Sequence, residues 1–574
     1  MHSTVSLIDF PNELLFKIIS LLEQQDLQTL SSAIRELDPL VNPILYATIE
    51  IGLFNDKIQF MRNFKKGVRP NKHQLRHARN LIITTAQPYY PNDKMGPIKQ
   101  WVIGRGFATL FGRLLKEPLK DFMDIVASLD NVTSVQWSFS SSIYRVKQRR
   151  PSGNCLDFSS ILKIVASLPS LDTFSLDASL SYPIYELDFL INTQLGLEHL
   201  HSLRALSLNG FTGFTYNFWA VIIDPFILVT RNSPALEDLS LDFSGYDSTG
   251  GLSLQRFLQS FPTTQPLKLQ KLSLRTPVWN LQISEASGIH LKNLTTLELR
   301  FPSTRSFQSP PFTTLGGGLW AVLGHYRTRL KHLYAPVTPE LVDYLQTYSG
   351  IEYLRLYGAA DDVLSHRFHD NVLRLHAASL KVLNTSLVAS PDGRWAFADH
   401  NAHIFANCLK LQELWVSIHG ERPIDTTLML LLHTSNSLPH LCWLSIGPAF
   451  SSSMYGSSEA HKSFIQWMIS TEKIFHELDI TDIINLSEGS ISFFTITLGF
   501  LKLTASWGVE PVTLHWYSRV VKPKVGTGPR CKFHWIEIED RQMHSSEQEL
   551  LRLTWPYINP VISLPGPIIM LQSD

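Results

Sequence analysis

A six-residue pattern, apolar-x-x-apolar-x-apolar, returns along most of this chain and limits its fold more than any other feature. Strong copies are LDTFSL from Leu171, LRALSL from Leu203, LEDLSL from Leu236, LQKLSL from Leu269 and LTTLEL from Leu294. IEYLRL from Ile351, LQELWV from Leu411, LCWLSI from Leu441 and FHELDI from Phe475 continue the series. Weaker copies begin at Ala78, Val132, Leu330 and Leu380, and FHWIEI from Phe533 would be the last. From Val132 to Phe475 the starts lie about 31 residues apart on average. The alternating tip of each copy has the period of a short, half-buried strand. Helical stretches lie between the tips. The clearest is TPELVDYLQTYSG, with Thr338 as N-cap, Pro339 at the first helical position and Gly350 just past the end. Proline before the strand in SLPSL, NSPAL and SLPHL stops the helix and turns the chain.

A strand-plus-helix unit cannot bury its apolar face alone. Stacked units bury it between them, with parallel strands on one side and helices on the other. The pattern resembles the leucine-rich repeat superfamily over about residues 78–540. The resemblance implies an α/β fold: an irregular solenoid with a parallel sheet on its concave face and helices on its convex face. The family's Asn or Cys ladder is missing, and Phe211 and Pro277 stand where it would be. An ordinary α/β domain with apolar strands is the alternative reading.

Composition narrows the class further. The chain has 574 residues, too many for one compact core. Lys+Arg and Asp+Glu both number 50, so no global charge draws it to nucleic acid or a membrane. The four cysteines, Cys155, Cys408, Cys442 and Cys531, have neither metal-ligand nor CxxC spacing, which points to a reducing compartment. Asp9, Glu13 and Lys17 interrupt the first apolar run, so a signal peptide is not expected. The most apolar windows, 218–230 and 491–501, are shorter than a membrane span. A cytoplasmic or nuclear protein is therefore expected. Polar segments at 140–154, 301–318, 450–459 and 520–530 read as surface loops, and the tail from 541 to 574 has no usable pattern.

The first 51 residues differ in kind from the repeats. Leu14, Leu15, Ile18, Ile19 and Leu22 share a helical face after Pro11. Asp26 is placed to cap a second helix carrying Leu27, Leu30 and Ile34, and Pro39 and Pro43 limit a third. The order Phe10-Pro11-x-Glu13-Leu14-Leu15-x-x-Ile18, Asp26-Leu27-x-x-Leu30, Arg35, Pro43-x-Leu45-Tyr46 resembles an F-box, in particular that of fungal proteins with degenerate leucine-rich repeats. Phe10 replaces the usual Leu, and AIRELDPL replaces the usual valine-cysteine-arginine-aromatic segment. The resemblance implies a three-helix module that docks the adaptor of an SCF-type cullin–RING ubiquitin ligase. Phe10, Pro11, Leu14, Leu15, Ile18, Leu27 and Leu30 would be its contacts. Residues 52–77 would link this module to the repeats. The alternative is that these helices only cap the open end of the array, although one face could cap while another docks.

In a solenoid, the x positions around the tip leucines face away from the core. Here they include Asp238 and Asp242, Lys271 and Arg275, Glu298 and Arg300, then Tyr353, Arg355 and Tyr357. Glu413 and Trp415, Trp443, Glu477 and Asp479, and Trp535, Glu537 and Glu539 follow. Tyr, Trp and Arg are the types that anchor interfaces. Lys271, Arg275, Arg300, Tyr353, Arg355, Tyr357, Trp415 and Trp443 are the candidates for holding a substrate protein. A solvated polar face is the alternative.

Other chemistries have weaker support. Seven Lys/Arg between Arg62 and Arg79 lack interleaved aromatics and read as a solvated helix face. GxSxG, P-loop, HExxH and strand-following GxGxxG motifs are missing. The pairs in HRFH (366–369) and HNAH (400–403) lack evident further metal ligands. No catalytic residue, cofactor or metal is expected, and the chain is expected to be a monomer outside its complex.

Overall fold

The computed structural model describes residues 10–54, 57–60, 72–86, 116–140, 158–177, 196–212, 223–244, 253–275, 279–300, 317–389, 393–419, 424–441, 443–449, 494–498, 517–522 and 532–537. They fall into two compact units, Met1–Asn280 and Leu281–Asp574.

The first unit opens with three helices: α1 (Asn12–Ser20), α2 (Gln24–Ala33) and α3 (Asp38–Leu45). Both α1 and α2 pack against α3. Glu23, not Asp26, occupies the cap position of α2, and Asp26 lies in its first turn, where a negative charge favours the helix dipole. Pro43 lies inside α3 and does not end it.

The strands of this unit are β1 (Thr48–Phe54), β2 (Lys57–Phe60), β3 (Asn80–Ala86), β4 (Ser134–Ser140), β5 (Thr173–Asp177), β6 (Ala205–Thr212), β7 (Asp238–Ser244) and β8 (Lys271–Arg275). β1, β3, β4, β5, β6, β7 and β8 pair in that order, all parallel, and β2 runs antiparallel along the other edge of β1. The repeat sheet thus begins some thirty residues before Ala78, and residue 51 lies inside β1. The signal was present: YATIEI from Tyr46 is a further copy of the pattern. Its three apolar residues, Tyr46, Ile49 and Ile51, are buried.

The second unit continues the design with β9 (Thr296–Leu299), β10 (His332–Pro336), β11 (Tyr353–Ala359), β12 (Val382–Ala389), β13 (Glu413–His419), β14 (Trp443–Ala449) and β15 (Phe494–Leu498), paired in sequence and parallel. β16 (Tyr517–Lys522) and β17 (Lys532–Glu537) then pair antiparallel. FHWIEI is therefore a hairpin arm, not a last parallel repeat: alternation alone does not distinguish the two. FHELDI at Phe475 and the tail from 541 lie outside the described residues.

In both units the pattern leucines are the core. Leu206, Leu208, Leu239, Leu241, Leu354, Leu356 and Leu414 are all at most 1% exposed. The missing Asn or Cys ladder has a backbone substitute at the strand entries. The carbonyl of Ala47 accepts from the N–H groups of Arg79 and Asn80, and that of Arg79 from Thr133 and Ser134. The same two-donor step is repeated by Thr133, Asp172, Arg204 and Glu237 in the first unit. In the second unit it is repeated by Thr295, Lys331, Glu352 and Lys381. Each entry is thus stapled to the next by main-chain groups, independent of side-chain identity.

Punctuation follows the expected chemistry where the two meet. Thr338 Oγ1 accepts from Leu341 N at 3.2 Å to cap the helix Pro339–Leu345, and Gly350 takes a positive φ of 107° after it. Asp361 caps the next helix through Leu364 N at 2.7 Å. Gly317 and Gly318 of the LGGGLW run open the helix Gly317–His325. A Cβ on Gly318 would sit 2.9 Å from the backbone N of Ile283, so only glycine allows this approach. No helix among the described residues is long and apolar enough to cross a membrane.

Candidate binding surfaces

The first candidate surface lies on α1. Leu15 and Ile19 sit one turn apart on the side facing α3 and are 2% and 1% exposed. Leu14, Ile18 and Leu21 form a neighbouring stripe about 100° around the helix, and they are 47%, 40% and 85% exposed. Phe10 and Phe16 add rings that are 40% and 48% exposed, and Pro11 is exposed too. The seven expected contacts therefore divide. Phe10, Pro11, Leu14 and Ile18 are open, Leu30 is half-buried, and Leu15 and Leu27 are not available. Leu15 and Leu27 belong to the small core of the helices, with Leu37, Val41 and Leu45. The sequence reading merged two stripes into one face. It also missed Phe16 and Leu21, whose exposure appears only once α3 is seen to cover the other side.

The second candidate surface is the open face of the sheet. In the second unit the register sets Tyr334 beside Arg355, Arg355 beside Asn384, and Asn384 beside Trp415. A neighbouring row runs His332, Tyr353, Val382, Glu413, Trp443. Tyr334 and Trp443 both pack against Trp415, which is 3% exposed. His332 stacks on Tyr353 with centroids 4.1 Å apart, and Tyr334 on Tyr357 at 5.0 Å. Burial holds His332 below the usual imidazole range. Arg300 lies over the Tyr334 ring at 5.4 Å and pairs with Glu298 at 2.9 Å. Arg355 lies over the Trp415 ring at 4.7 Å, with Glu413 3.8 Å away.

Of the eight expected substrate contacts, Arg300, Tyr353, Arg355, Tyr357, Trp415 and Trp443 fall on this face. Tyr357 and Trp415 are corrected from exposed anchors to buried members of it. The Tyr357 hydroxyl donates to the Leu299 carbonyl at 2.6 Å, and the rings around Trp415 cover it. Lys271 and Arg275 belong to the first unit. Lys271 pairs with Asp238 at 3.3 Å, and the Arg275 side chain lies outside the described residues. Sequence reasoning missed His332, Tyr334 and Asn384. They occupy the x positions of the two weaker copies at Leu330 and Leu380.

The histidines of HRFH and HNAH are brought close, with His369 and His400 ring centroids 6.0 Å apart. His369 is enclosed: Ser365 Oγ lies 3.2 Å from its Nδ1, Asn401 Nδ2 lies 3.5 Å from its Nε2, and burial pushes its pKa down to about 3. Among the described residues no group of three or more His, Cys, Asp or Glu is arranged to hold a metal ion. Cys408 is buried, and its thiol is pushed up to about 12 by that burial.

No protein-family model matches this sequence, and no curated protein matches it. Among solved structures, the crystal structure of a TLR13–ssRNA13 complex aligns with 14% identity over 66% of this chain and 54% of that one, at a TM-score of 0.26. This chain thus spans about half the length of that protein, and the likeness is too distant to assign a fold or a ligand. The strand–helix stacking within each unit is what defines the architecture as leucine-rich-repeat-like.

Proposed function

We propose that this chain is the substrate-recognition subunit of an SCF-type cullin–RING ubiquitin ligase. The α1 module docks the adaptor, and through it a cullin, while the repeat array holds a substrate protein. The observation that carries this reading is the stripe of Leu14, Ile18 and Leu21 with Phe10 and Phe16, all left open although Leu15 and Ile19 already serve the helical core. An apolar helical face of this kind is completed by a partner. The resemblance of the sequence to an F-box is what supports the adaptor as that partner. Catalysis would be by proximity alone, raising the effective concentration of a substrate lysine near the conjugating enzyme. The compartment that goes with this reading is the cytoplasm or the nucleus.

Co-purification of the full chain with the SCF adaptor tests it. Wild type should retain the adaptor. Pro11→Ala with Leu14→Ala should lose it while the far-ultraviolet circular dichroism and the unfolding midpoint stay unchanged. Retention by the double variant sinks the docking assignment. A protein-binding scaffold with no ubiquitin role is the second reading, favoured by an aromatic sheet face that needs nothing from α1. It would keep its other partners in the Pro11→Ala, Leu14→Ala double variant, and wild type would not have held the adaptor.

A further inference from the structure

We infer that the open face of the second unit binds a side-chain carboxylate of its partner protein, with Arg355 as counter-ion and the indole N–H groups of Trp415 and Trp443 as donors. This deepens the proposal that the repeats hold a substrate protein and rests on that reading of the sheet.

The inference starts from an imbalance of hydrogen-bonding groups. Trp415 Nε1 and Trp443 Nε1 are both buried and have no hydrogen-bond partner among the described residues. Trp415 itself is 3% exposed. Ser417, two residues along the same strand face, is 1% exposed, and its hydroxyl is also unpartnered. A buried donor left without an acceptor costs about 1–3 kcal/mol, so several on adjacent strands are a standing demand for an acceptor. The guanidinium of Arg355 lies against the same Trp415 ring. Among the described residues its ionic neighbour is Glu413, 3.8 Å away and beyond hydrogen-bond reach, and no acceptor for its planar fork of N–H donors is found among them. The register ties these groups together: Glu413 is the strand partner of Trp443, and Asn384 stands between Arg355 and Trp415. Donors are in excess, and the acceptors present are too few or too far.

The class of ligand follows from charge and shape. Arg355 and Glu413 side chains are 25% and 35% exposed, and Trp443 is half-buried, so the guanidinium is reached from solvent at this edge, and the buried indole N–H groups beside it come within a ligand's reach only as the rings that cover them shift. A carboxylate offers the planar pair of oxygens that a guanidinium fork takes side by side. A phosphate dianion is disfavoured, because among the described residues of this face Arg355 offers a single positive charge and Glu413 repels the second negative one; Arg300 is engaged by Glu298 at 2.9 Å. Tyr334, Tyr353 and Trp443 supply rings against which apolar neighbours of the carboxylate would lie.

Fluorescence anisotropy of the full-length chain with degenerate nonapeptide libraries tests this. All positions are randomised except the centre, fixed as Glu, Gln or phosphoserine. The Glu library should bind about tenfold or more tightly than the Gln library, the scale of one charge-assisted hydrogen-bonded pair. Arg355→Gln should erase that preference, and Trp415→Phe, which keeps an aromatic side chain but replaces the indole and its N–H by a smaller phenyl ring, should weaken Glu-library binding several-fold. Arg355→Lys serves as the variant least able to disturb folding, and it should lose most of the preference while keeping the charge. Equal binding of the Glu and Gln libraries, no binding by either, or an unchanged preference in Arg355→Lys would overturn the inference. Stronger binding of the phosphoserine library would overturn the choice of carboxylate in favour of a phosphopeptide. The readout needs no adaptor. Loss of adaptor capture with a preserved Glu preference would therefore defeat the ligase proposal and leave this one standing.

Discussion

The two units share a backbone plan and differ in what they place on it. In the first, the row crossing β5 to β8 is Ser175, Ser207, Ser240, Ser273. In the second, the row crossing β10 to β13 is Tyr334, Arg355, Asn384, Trp415. Core leucines and entry carbonyls are alike in both, so neither explains the contrast. A serine row offers small hydroxyls and little apolar area to anchor a partner. The aromatic row builds a second, shallow cluster on the far side of the sheet from the main core, with Trp415 as its centre. The open face therefore contributes little to stability in one unit and more in the other, where it also carries the aromatic and charged groups on which the proposed recognition rests.

Truncating the centre of each face is the most severe way to break this comparison. Trp415→Ala should destabilise the second unit by about 3–5 kcal/mol, as for a buried core aromatic. Ser240→Ala, at the matching strand position of the first unit, should stay within about 0.5 kcal/mol of wild type. Urea unfolding followed by circular dichroism measures both. Equal effects would mean that Trp415 is covered without being supported.

Acid separates the units next. His369 and His376 in the second unit are buried, and burial lowers their pKa values to about 3 and about 4. Neighbouring His400 and His366 disfavour the charged form of His369 further, while Ser365 works the other way. Backbone groups fix His376: it accepts from Ile351 N at 3.2 Å and meets the Leu345 carbonyl at 3.0 Å. An unfolded imidazole takes up its proton near pH 6.5, and the folded ones do so only near 3 or 4. Between those values the unfolded state holds more protons. Stability is therefore full above about pH 6.5 and declines as pH falls, by about 2 kcal/mol per histidine at pH 5. Thermal melts at pH 7 and pH 5 should show the loss, and His376→Gln should flatten it. A pH-independent midpoint would show that these rings titrate normally.

These contrasts also mark how far the sequence could be read. The leucine columns were legible because burial enforces a period that composition cannot hide. The cap at Thr338 and the turn at Gly350 were legible because few residues do those jobs. What faced outward was legible only by position. Tyr334 and Trp415 are both x residues, but whether such a ring stands in solvent or lies on its neighbours depends on register across strands far apart in sequence. On α1 the same limit appeared within one helix, where Leu14 and Leu15 read alike until α3 claimed one of them. The antiparallel strands of the second unit were hidden for a similar reason, since FHWIEI from Phe533 alternates as a parallel strand would.

A smaller effect sharpens the comparison at a helix. Thr338→Ala removes the side-chain acceptor for Leu341 N and should cost the second unit about 1 kcal/mol. Thr338→Ser should restore most of it, because the hydroxyl and not the methyl does the capping. A loss in both variants would point to packing around this 5% exposed side chain instead.

The smallest effect concerns what the units have in common. At the strand entries charged side chains alternate in sign: Arg204 pairs with Glu237 at 2.9 Å, and Lys381 with Glu352 at 2.6 Å. The pairing raises the Lys381 pKa and lowers that of Glu352, yet these groups lie at the surface, where water and salt screen them. The carbonyls of the same residues hold the next strand through two N–H groups each, and those bonds do not depend on the side chain. Arg204→Ala and Lys381→Ala should therefore shift the unfolding midpoint only slightly, by similar amounts in the two units, and the shift should fade in 0.5 M salt, where the Debye length is about 4 Å. A salt-resistant loss at either position would show that the side-chain ladder, not the main chain, staples the repeats there. The shared backbone plan would then be less independent of sequence than the common geometry implies.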